Sequence, residues 1–130
     1  MQDILTCAMG LDIHRDVIVA CLAKGELGTD PEIEIRSFST LIPEMRKLRD
    51  WVLEAECHHV AMESTGIYWQ PIYEMLEPCF DGQISILVVN ARHMKNVPGR
   101  KTDMRDAQWI ATLLRAGLLK GSFIPDKTFR

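Results

Sequence analysis

Four carboxylates have the type and spacing expected of a divalent cation site: Asp12, Glu63, Asp103 and Asp106. Hard oxygen ligands suit magnesium, which keeps several waters and accepts phosphate oxygens of a substrate as further ligands. Two such ions about 3.5–4 Å apart can hold the attacking and the leaving oxygen of a phosphodiester displacement. The pattern therefore predicts a two-ion Mg²⁺ site, with Mn²⁺ as a substitute, that needs no histidine or cysteine nucleophile.

Asp12 and Glu63 each end an apolar segment whose residues alternate as in a strand. On the first strand Asp12 shares a face with Ala8 and Gly10, and on a later strand Glu63 shares a face with Ala61. Small side chains let another element approach closely, and in both strands the acid lies just beyond them. We expect the two carboxylates at the margin of a tightly packed face.

The last strongly periodic stretch predicts an amphipathic helix over about Thr102 to Leu119. One stripe of this helix carries two acids followed by mostly apolar residues: Asp103, Asp106, Ala107, Ile110, Leu113, Leu114 and Gly117. Because the apolar part of the stripe must face the core, both acids are directed towards the interior edge, where an uncompensated charge is unfavourable. The helix dipole stabilises each acid by only ~0.3–1 kcal/mol, so a bound cation is the stronger means of neutralising them.

Each acid also has a simpler local explanation. Asp12 could be a turn residue after a strand, and Thr102 or Asp103 could cap the N-terminus of the last helix. Glu63, which precedes Ser64-Thr65-Gly66, has little local use of this kind. The coincidence of all four acids with small-residue faces and one helical stripe favours a shared site.

Composition is that of one soluble globular domain, with 130 residues, 47% apolar and 25% charged. No apolar run approaches the ~20 residues of a membrane span, and the N-terminus lacks the pattern of a secretory signal. The four cysteines, Cys7, Cys21, Cys57 and Cys79, are well separated, which favours reduced thiols over disulfides or a zinc site. We expect a cytoplasmic protein that contacts no membrane.

The net charge of −3 argues mildly against nucleic-acid binding, but the basic residues are unevenly distributed. Between Arg92 and Arg105 five cations face a single acid, Asp103. We predict that the side chains of four of these cations contact the phosphate backbone of DNA or RNA: Arg92, Lys95, Arg100 and Lys101. The alternative is a solvated surface loop.

Ser64 and Thr65 are two further candidates for nucleic-acid contact. Together with Gly66 they precede a predicted helix, so backbone N–H groups there could meet a phosphate. Capping of that helix by Thr65 is the alternative.

Hydrophobic periodicity predicts the element order β-β-β-α-β-α-β-α. The predicted strands cover 4–13, 17–23, 32–38, 58–63 and 84–89, and the helices about 40–55, about 69–76 and about 102–119. Three antiparallel strands followed by helix-linked parallel strands give an α/β fold, a mixed five-stranded sheet flanked by helices. The nearly all-apolar fifth strand is expected to be buried on both faces.

Four ordered motifs closely resemble the N-terminal domain of the DEDD transposases of bacterial insertion sequences, the insertion-sequence-110 group. They are Gly10–His14, Ala61–Gly66, Val89–Asn96 and Pro98–Ala107, and Gly117–Pro125 fits the family's continuation. The resemblance covers nearly the whole chain, with Lys24–Leu53 contributing least. One departure is Arg15, where the family often has lysine, so the charge is kept.

The resemblance implies an RNase H-like, RuvC-like nuclease fold in which Asp12, Glu63, Asp103 and Asp106 are the DEDD ligands for magnesium. It also implies cutting and rejoining of DNA strands in the bacterial cytoplasm, at the nucleoid. In the family a C-terminal domain carries a serine thought to act with this site, and a non-coding guide RNA can direct target choice. Ser64 belongs to the family's Glu-Ser-Thr-Gly motif and is not that serine. A homo-oligomer is expected for the full-length protein.

Residues 1–121 are expected to form the RuvC-like catalytic domain, and residues 122–130 to start a linker to a C-terminal domain. Complete recombination would then exceed what this chain does alone. Two alternatives stay open: a stand-alone junction-resolving or RNase H-type nuclease, and a non-catalytic nucleic-acid-binding or assembly module.

Overall fold

A computed structural model of the chain describes residues 2–64, 66–89 and 105–119. Its strands and helices follow the predicted order: β1 Cys7–Ile13, β2 Val17–Lys24, β3 Glu32–Ser39, α1 Ile42–Glu54, β4 His59–Ser64, α2 Trp69–Leu76, β5 Ser85–Val89 and α3 Asp106–Arg115. A short 3₁₀ turn at Cys79–Gly82, between α2 and β5, was not predicted. Within the described ranges no helix is both long enough and apolar enough to cross a membrane.

The five strands form one sheet in the order β3-β2-β1-β4-β5. β2 pairs antiparallel with β1 and β3, whereas β4 pairs parallel with β1 and β5. The mixed five-stranded sheet is therefore confirmed. β1 lies at its centre, where the antiparallel and parallel halves meet.

One face of the sheet carries large apolar side chains and is covered by α1 and α2; we call it the large-residue face. Met9, Leu11 and Ile13 of β1 belong to this face and are at most 1% exposed. Helix α1 contributes Met45, Leu48, Trp51 and Val52. The largest cluster of buried side chains in the described residues lies on this face. Burial of each side chain of this size stabilises the fold by about 1.5–3 kcal/mol, so this face contributes most to the stability of the core.

The opposite face carries small side chains and is covered by α3; we call it the small-residue face. Ala8, Ala61, Cys21 and Ala23 are all at most 1% exposed on this side. The buried side of α3 fits against them through Ala107, Trp109, Ile110, Ala111, Leu113 and Leu114. The small residues leave room for the helix to lie close to the strands.

β1 begins at Cys7 and not at Ile4 as predicted, because the preceding residues have another hydrogen-bond partner. The N–H groups of Ile4 and Leu5 both donate to the carbonyl of Arg115, at 2.8 and 3.0 Å. The buried Arg115 side chain also donates to Leu5 O and pairs with Asp3 at 2.7 Å. The N-terminal segment is thus tied to the end of α3 before it joins the sheet.

The end of α3 also differs from the prediction, which extended the helix to about Leu119. The helix ends at Arg115, and Gly117 adopts the left-handed conformation at φ 73°. Its N–H donates to Leu114 O, and the Leu118 N–H donates to Leu113 O, both at 3.0 Å. This pair of bonds is the Schellman arrangement that stops a helix at glycine.

β5 is not buried on both faces as its apolar sequence predicted. It is an edge strand in which Ser85 is exposed, Ile86 and Leu87 are half-buried, and only Val88 and Val89 are buried. An apolar run of this length does not distinguish a central strand from an edge strand.

Candidate functional site

Asp12 and Glu63 are direct partners across the parallel pairing of β1 with β4. Neighbouring strands lie about 4.8 Å apart, and paired residues project from the same side of the sheet. The preceding pair on this face is Gly10 with Ala61. Two of the four sequence-predicted carboxylates thus occupy neighbouring positions at the carboxyl ends of two adjacent strands, one step beyond the small residues.

Apolar neighbours flank this carboxylate pair along the sheet. Asp12 pairs with Val19 of β2 on one side, and Glu63 pairs with Val89 of β5 on the other. The Asp12 side chain is 16% exposed. Two carboxylates thus lie side by side between apolar residues, and oxygen donors of this kind suit a hard cation.

Helix α3 lies very close to the sheet at Gly10, two residues before Asp12. A Cβ atom at Gly10 would lie 2.3 Å from the Ala107 carbonyl oxygen and 2.5 Å from the Ala111 nitrogen. Both distances are far below van der Waals contact, so only glycine allows this approach. The predicted role of small residues on the Asp12 face is confirmed.

The direction of α3 brings its first residue towards the acid end of β1. The last residue of α3, Arg115, bonds the chain just before β1, while Ala107 near the start of α3 lies over Gly10. The helix therefore runs antiparallel to β1, and Asp12 lies about 6.6 Å beyond Gly10 on the side of the helix N-terminus.

Asp106 is the first residue of α3 and is exposed. The prediction that Asp106 is directed towards the interior, where its charge would be unfavourable, is therefore wrong. The buried part of the stripe begins only at Ala107. Asp106 still benefits from its position in the first turn, where the helix dipole favours negative charge. Asp103 lies outside the described residues.

Asp12 and Glu63 lie where β1 and β4 end, and we call this part of the sheet the carboxylate edge. Its donor chemistry fits a hard divalent cation, since both paired groups are carboxylates. No group of three or more histidine, cysteine or acidic side chains positioned for a metal ion occurs within 2–64, 66–89 and 105–119. Asp12 and Glu63 are two potential ligands. Asp106, the first residue of α3, forms no such group with them in the described residues, so a complete site would need α3 to come closer and Asp103 to take part, as the sequence predicted.

His14 is a residue of this edge to which the sequence analysis assigned no role. Its Nε2 atom lies 3.1 Å from Oδ2 of Asp12, and its side chain is 49% exposed. The two residues are separated by one position, so in an extended chain they project from the same face. The i, i+2 spacing of Asp12 and His14 in the sequence could therefore have predicted this contact.

The candidate nucleic-acid contacts are only partly covered by the structure. Ser64 ends β4, pairs with Ile13 and is half-buried. Helix α2 begins at Trp69 with Tyr68 as its N-cap residue, so capping by Thr65 is wrong, and residues 64–66 do not directly precede the helix. The other candidates lie outside the described residues: Thr65, Arg92, Lys95, Arg100 and Lys101.

All four cysteines are free thiols, as predicted, and three of them are buried. Burial raises the pKa of Cys21 to about 11 and raises that of Cys79. A hydrogen bond with Cys57 lowers the pKa of Cys7, which is only half-buried, and raises that of Cys57. None of the four thiols belongs to the carboxylate edge, so thiolate chemistry is not part of this site.

Comparison with protein families gives a match to a family model described as a transposase of the DEDD, IS110 type. It covers residues 9–130, which include every acid of the candidate site. The comparison with curated proteins gives no match.

Among solved structures, the Thermus thermophilus RuvC structure has the same fold. It is 12% identical with a TM-score of 0.60, over 89% of this chain and 99% of that chain. T. thermophilus RuvC in complex with a Holliday junction substrate is 13% identical with a TM-score of 0.59, over 91% of this chain and 100% of that chain. The predicted RuvC-like, RNase H-like fold is confirmed.

Proposed function

Because the chain belongs to the DEDD transposase family of the IS110 type, we propose that it is the catalytic domain of a DNA transposase that cleaves and transfers DNA strands with Mg²⁺. The observation that carries this proposal is the register pairing of Asp12 with Glu63 at the end of the small-residue face. Helix α3, which begins at Asp106, lies over the same face.

Asp12, Glu63, Asp103 and Asp106 are the proposed metal ligands. When bound, a pair of divalent ions activates the attacking oxygen and stabilises the leaving oxygen of a phosphodiester. The two strand carboxylates supply fixed ligands, because both belong to strands hydrogen-bonded to each other in the centre of the sheet. Asp106, whose position is set by the contact of α3 with Gly10, would complete the site together with Asp103.

The proposed substrate is DNA, held against the carboxylate edge by cations of the segment between Arg92 and Arg105. Arg92, Lys95, Arg100 and Lys101 would bind phosphates, as would Ser64 and Thr65, without reading sequence. The family match supports DNA as the partner, and a RuvC of the same fold has been solved with a Holliday junction. A guide RNA, a C-terminal transposase domain, homo-oligomerisation and a cytoplasmic location are further parts of this proposal.

The metal-dependent reaction is tested with labelled DNA and this chain, supplemented with a C-terminal domain where cleavage requires one. Asp12→Asn and Glu63→Gln should each reduce Mg²⁺-dependent strand cleavage by at least a hundredfold, because each removes a ligand charge at the metal. Glu44→Gln and Asp50→Asn are matched controls, since these acids are on α1, against the opposite face. Cleavage by Asp12→Asn at the parental rate would overturn the proposal.

A stand-alone junction nuclease is the second candidate, favoured by the shared fold with the RuvC–junction complex. Comparing a four-way junction with a linear duplex of the same sequence separates the two functions. Symmetric cleavage of the junction by this chain unaided would favour the nuclease. Cleavage only at transposon ends, with strand joining, would favour the transposase.

A further inference from the structure

His14 is held beside Asp12 by the backbone of the β1–β2 hairpin. Its N–H donates to Val17 O at 2.9 Å, directly after the last register pair, Ile13 with Ile18. The residue therefore does not belong to a free loop, even though its side chain is half exposed. Its ring meets Asp12 because the hairpin fixes the backbone on which both side chains stand.

The contact engages one oxygen of the Asp12 carboxylate and leaves the other available. Nε2 of His14 lies 3.1 Å from Oδ2, so a metal ion can use Oδ1 while the imidazole restricts rotation of the carboxylate. Side chains that contact a ligating carboxylate in this way fix its orientation, and their loss typically costs a factor of about 10–100 in metal affinity. Val19 and Val89, which flank the carboxylate pair, have no polar side-chain group that could make such a contact.

We propose that His14 is a positioning residue that orients the Asp12 carboxylate for the metal ion without itself binding the metal. This inference rests on the proposed function, since it requires Asp12 to be a ligand. The β1–β2 hairpin would then help to form the metal site through His14, in addition to supplying Asp12.

Titration calorimetry of the full chain with MnCl₂ tests this role. His14→Ala should weaken Mn²⁺ binding by about tenfold to a hundredfold. His14→Gln, whose amide nitrogen reaches about as far as Nε2, should recover most of the affinity. The matched control is His58→Ala, which removes an exposed histidine just before β4, at the strand end opposite Glu63, and should leave binding unchanged.

Two further readouts separate positioning from other roles. The melting temperature of metal-free His14→Ala should stay within about 3 °C of the parent, because the side chain is half exposed. Pulsed electron paramagnetic resonance of the Mn²⁺-bound protein should show no coupling to an imidazole nitrogen. A coupled nitrogen that disappears in His14→Ala would overturn the proposal, because His14 would then be a ligand.

The remaining outcomes are also distinct. Equal affinity of His14→Ala and the parent, with binding lost in Asp12→Asn, would reject the positioning role and keep the metal site. Tighter binding by His14→Ala would show that His14 competes with the ion for Asp12, and would also reject it. Absence of Mn²⁺ binding by the parent, or unchanged binding by Asp12→Asn, would reject both His14's role and the proposed function.

Discussion

The two faces of the central sheet are built from different side chains, and they serve different purposes. On the large-residue face Met9, Leu11 and Ile13 of β1 pack into the main core. On the small-residue face the alternate residues Ala8 and Gly10 leave room for α3, and the same alternation ends in Asp12. The large side chains of β1 thus stabilise the core on one face. Its small side chains let α3 lie close to the sheet beside Asp12 on the other face. Stability and site geometry should respond to different substitutions.

Leu48→Ala should have the largest effect on stability, because Leu48 is fully buried on the large-residue face. The free energy of unfolding, measured by urea denaturation, should fall by about 2–5 kcal/mol. Leu53→Ala is the matched control on the same helix, since Leu53 is 38% exposed and should cost much less. Below the unfolding transition Leu48→Ala should bind Mn²⁺ with parental affinity; a large loss of affinity would contradict the separation of the two faces.

Gly10→Ala should affect both stability and the site. The new Cβ atom would lie 2.3 Å from backbone of α3, so the helix must shift, at a cost of about 1–3 kcal/mol. Because α3 begins at Asp106, the shift should also weaken Mn²⁺ binding. Gly28→Ala is the control: its left-handed backbone, φ 83°, is strained by alanine, but nothing lies within 4 Å, so metal affinity should not change. Parental Mn²⁺ affinity in Gly10→Ala would contradict the role of this contact.

Asp12→Asn should change stability least of these three while it removes metal binding. The substitution removes one of two neighbouring carboxylate charges and also changes the contact with His14, whose Nε2 lies 3.1 Å from Oδ2, two opposing effects of modest size. We expect the metal-free unfolding free energy to stay within about 1 kcal/mol of the parent. A loss of several kcal/mol in urea denaturation would indicate that Asp12 has a structural role instead.

Cysteine reactivity should distinguish Cys7 from the other thiols of the protein. The hydrogen bond with Cys57 lowers the pKa of Cys7, whereas burial raises that of Cys21 to about 11. A lower pKa gives more thiolate at a given pH, so iodoacetamide should modify Cys7 first and at lower pH than Cys21. Mass spectrometry of the folded protein over a series of pH values checks the order; earlier modification of Cys21 would contradict it.

The element order and the strand faces that carry Asp12 and Glu63 were predictable because both depend on local periodicity. Alternation at period two assigns Gly10 and Asp12 to one face, and the same rule assigns Ala61 and Glu63 to one face. Register is not local, so the direct pairing of Asp12 with Glu63 required the sheet itself.

Element ends were predicted less well, because their hydrogen bonds come from distant parts of the chain. Arg115 accepts from Ile4 and Leu5, more than a hundred residues away, and so delays the start of β1. A glycine that ends a helix is recognisable in sequence, but Gly117 also fitted the predicted helical stripe, and its left-handed conformation and close contact with Ile4 appear only in the folded chain. The exposure of Asp106 was missed for a related reason: a helical stripe shows direction around the axis, and not where the covering sheet ends.

The central claim is that strand and helix acids bind the same ion, and a double-mutant cycle on Mn²⁺ affinity tests it most directly. Titration calorimetry is carried out on the parent, Asp12→Asn, Asp106→Asn and the double variant. If the two acids share an ion, the second substitution should cost much less than it does in the parent, with a coupling of at least about 1 kcal/mol. Additive losses within about 0.5 kcal/mol would show that Asp12 and Asp106 act at separate places, and would contradict the account.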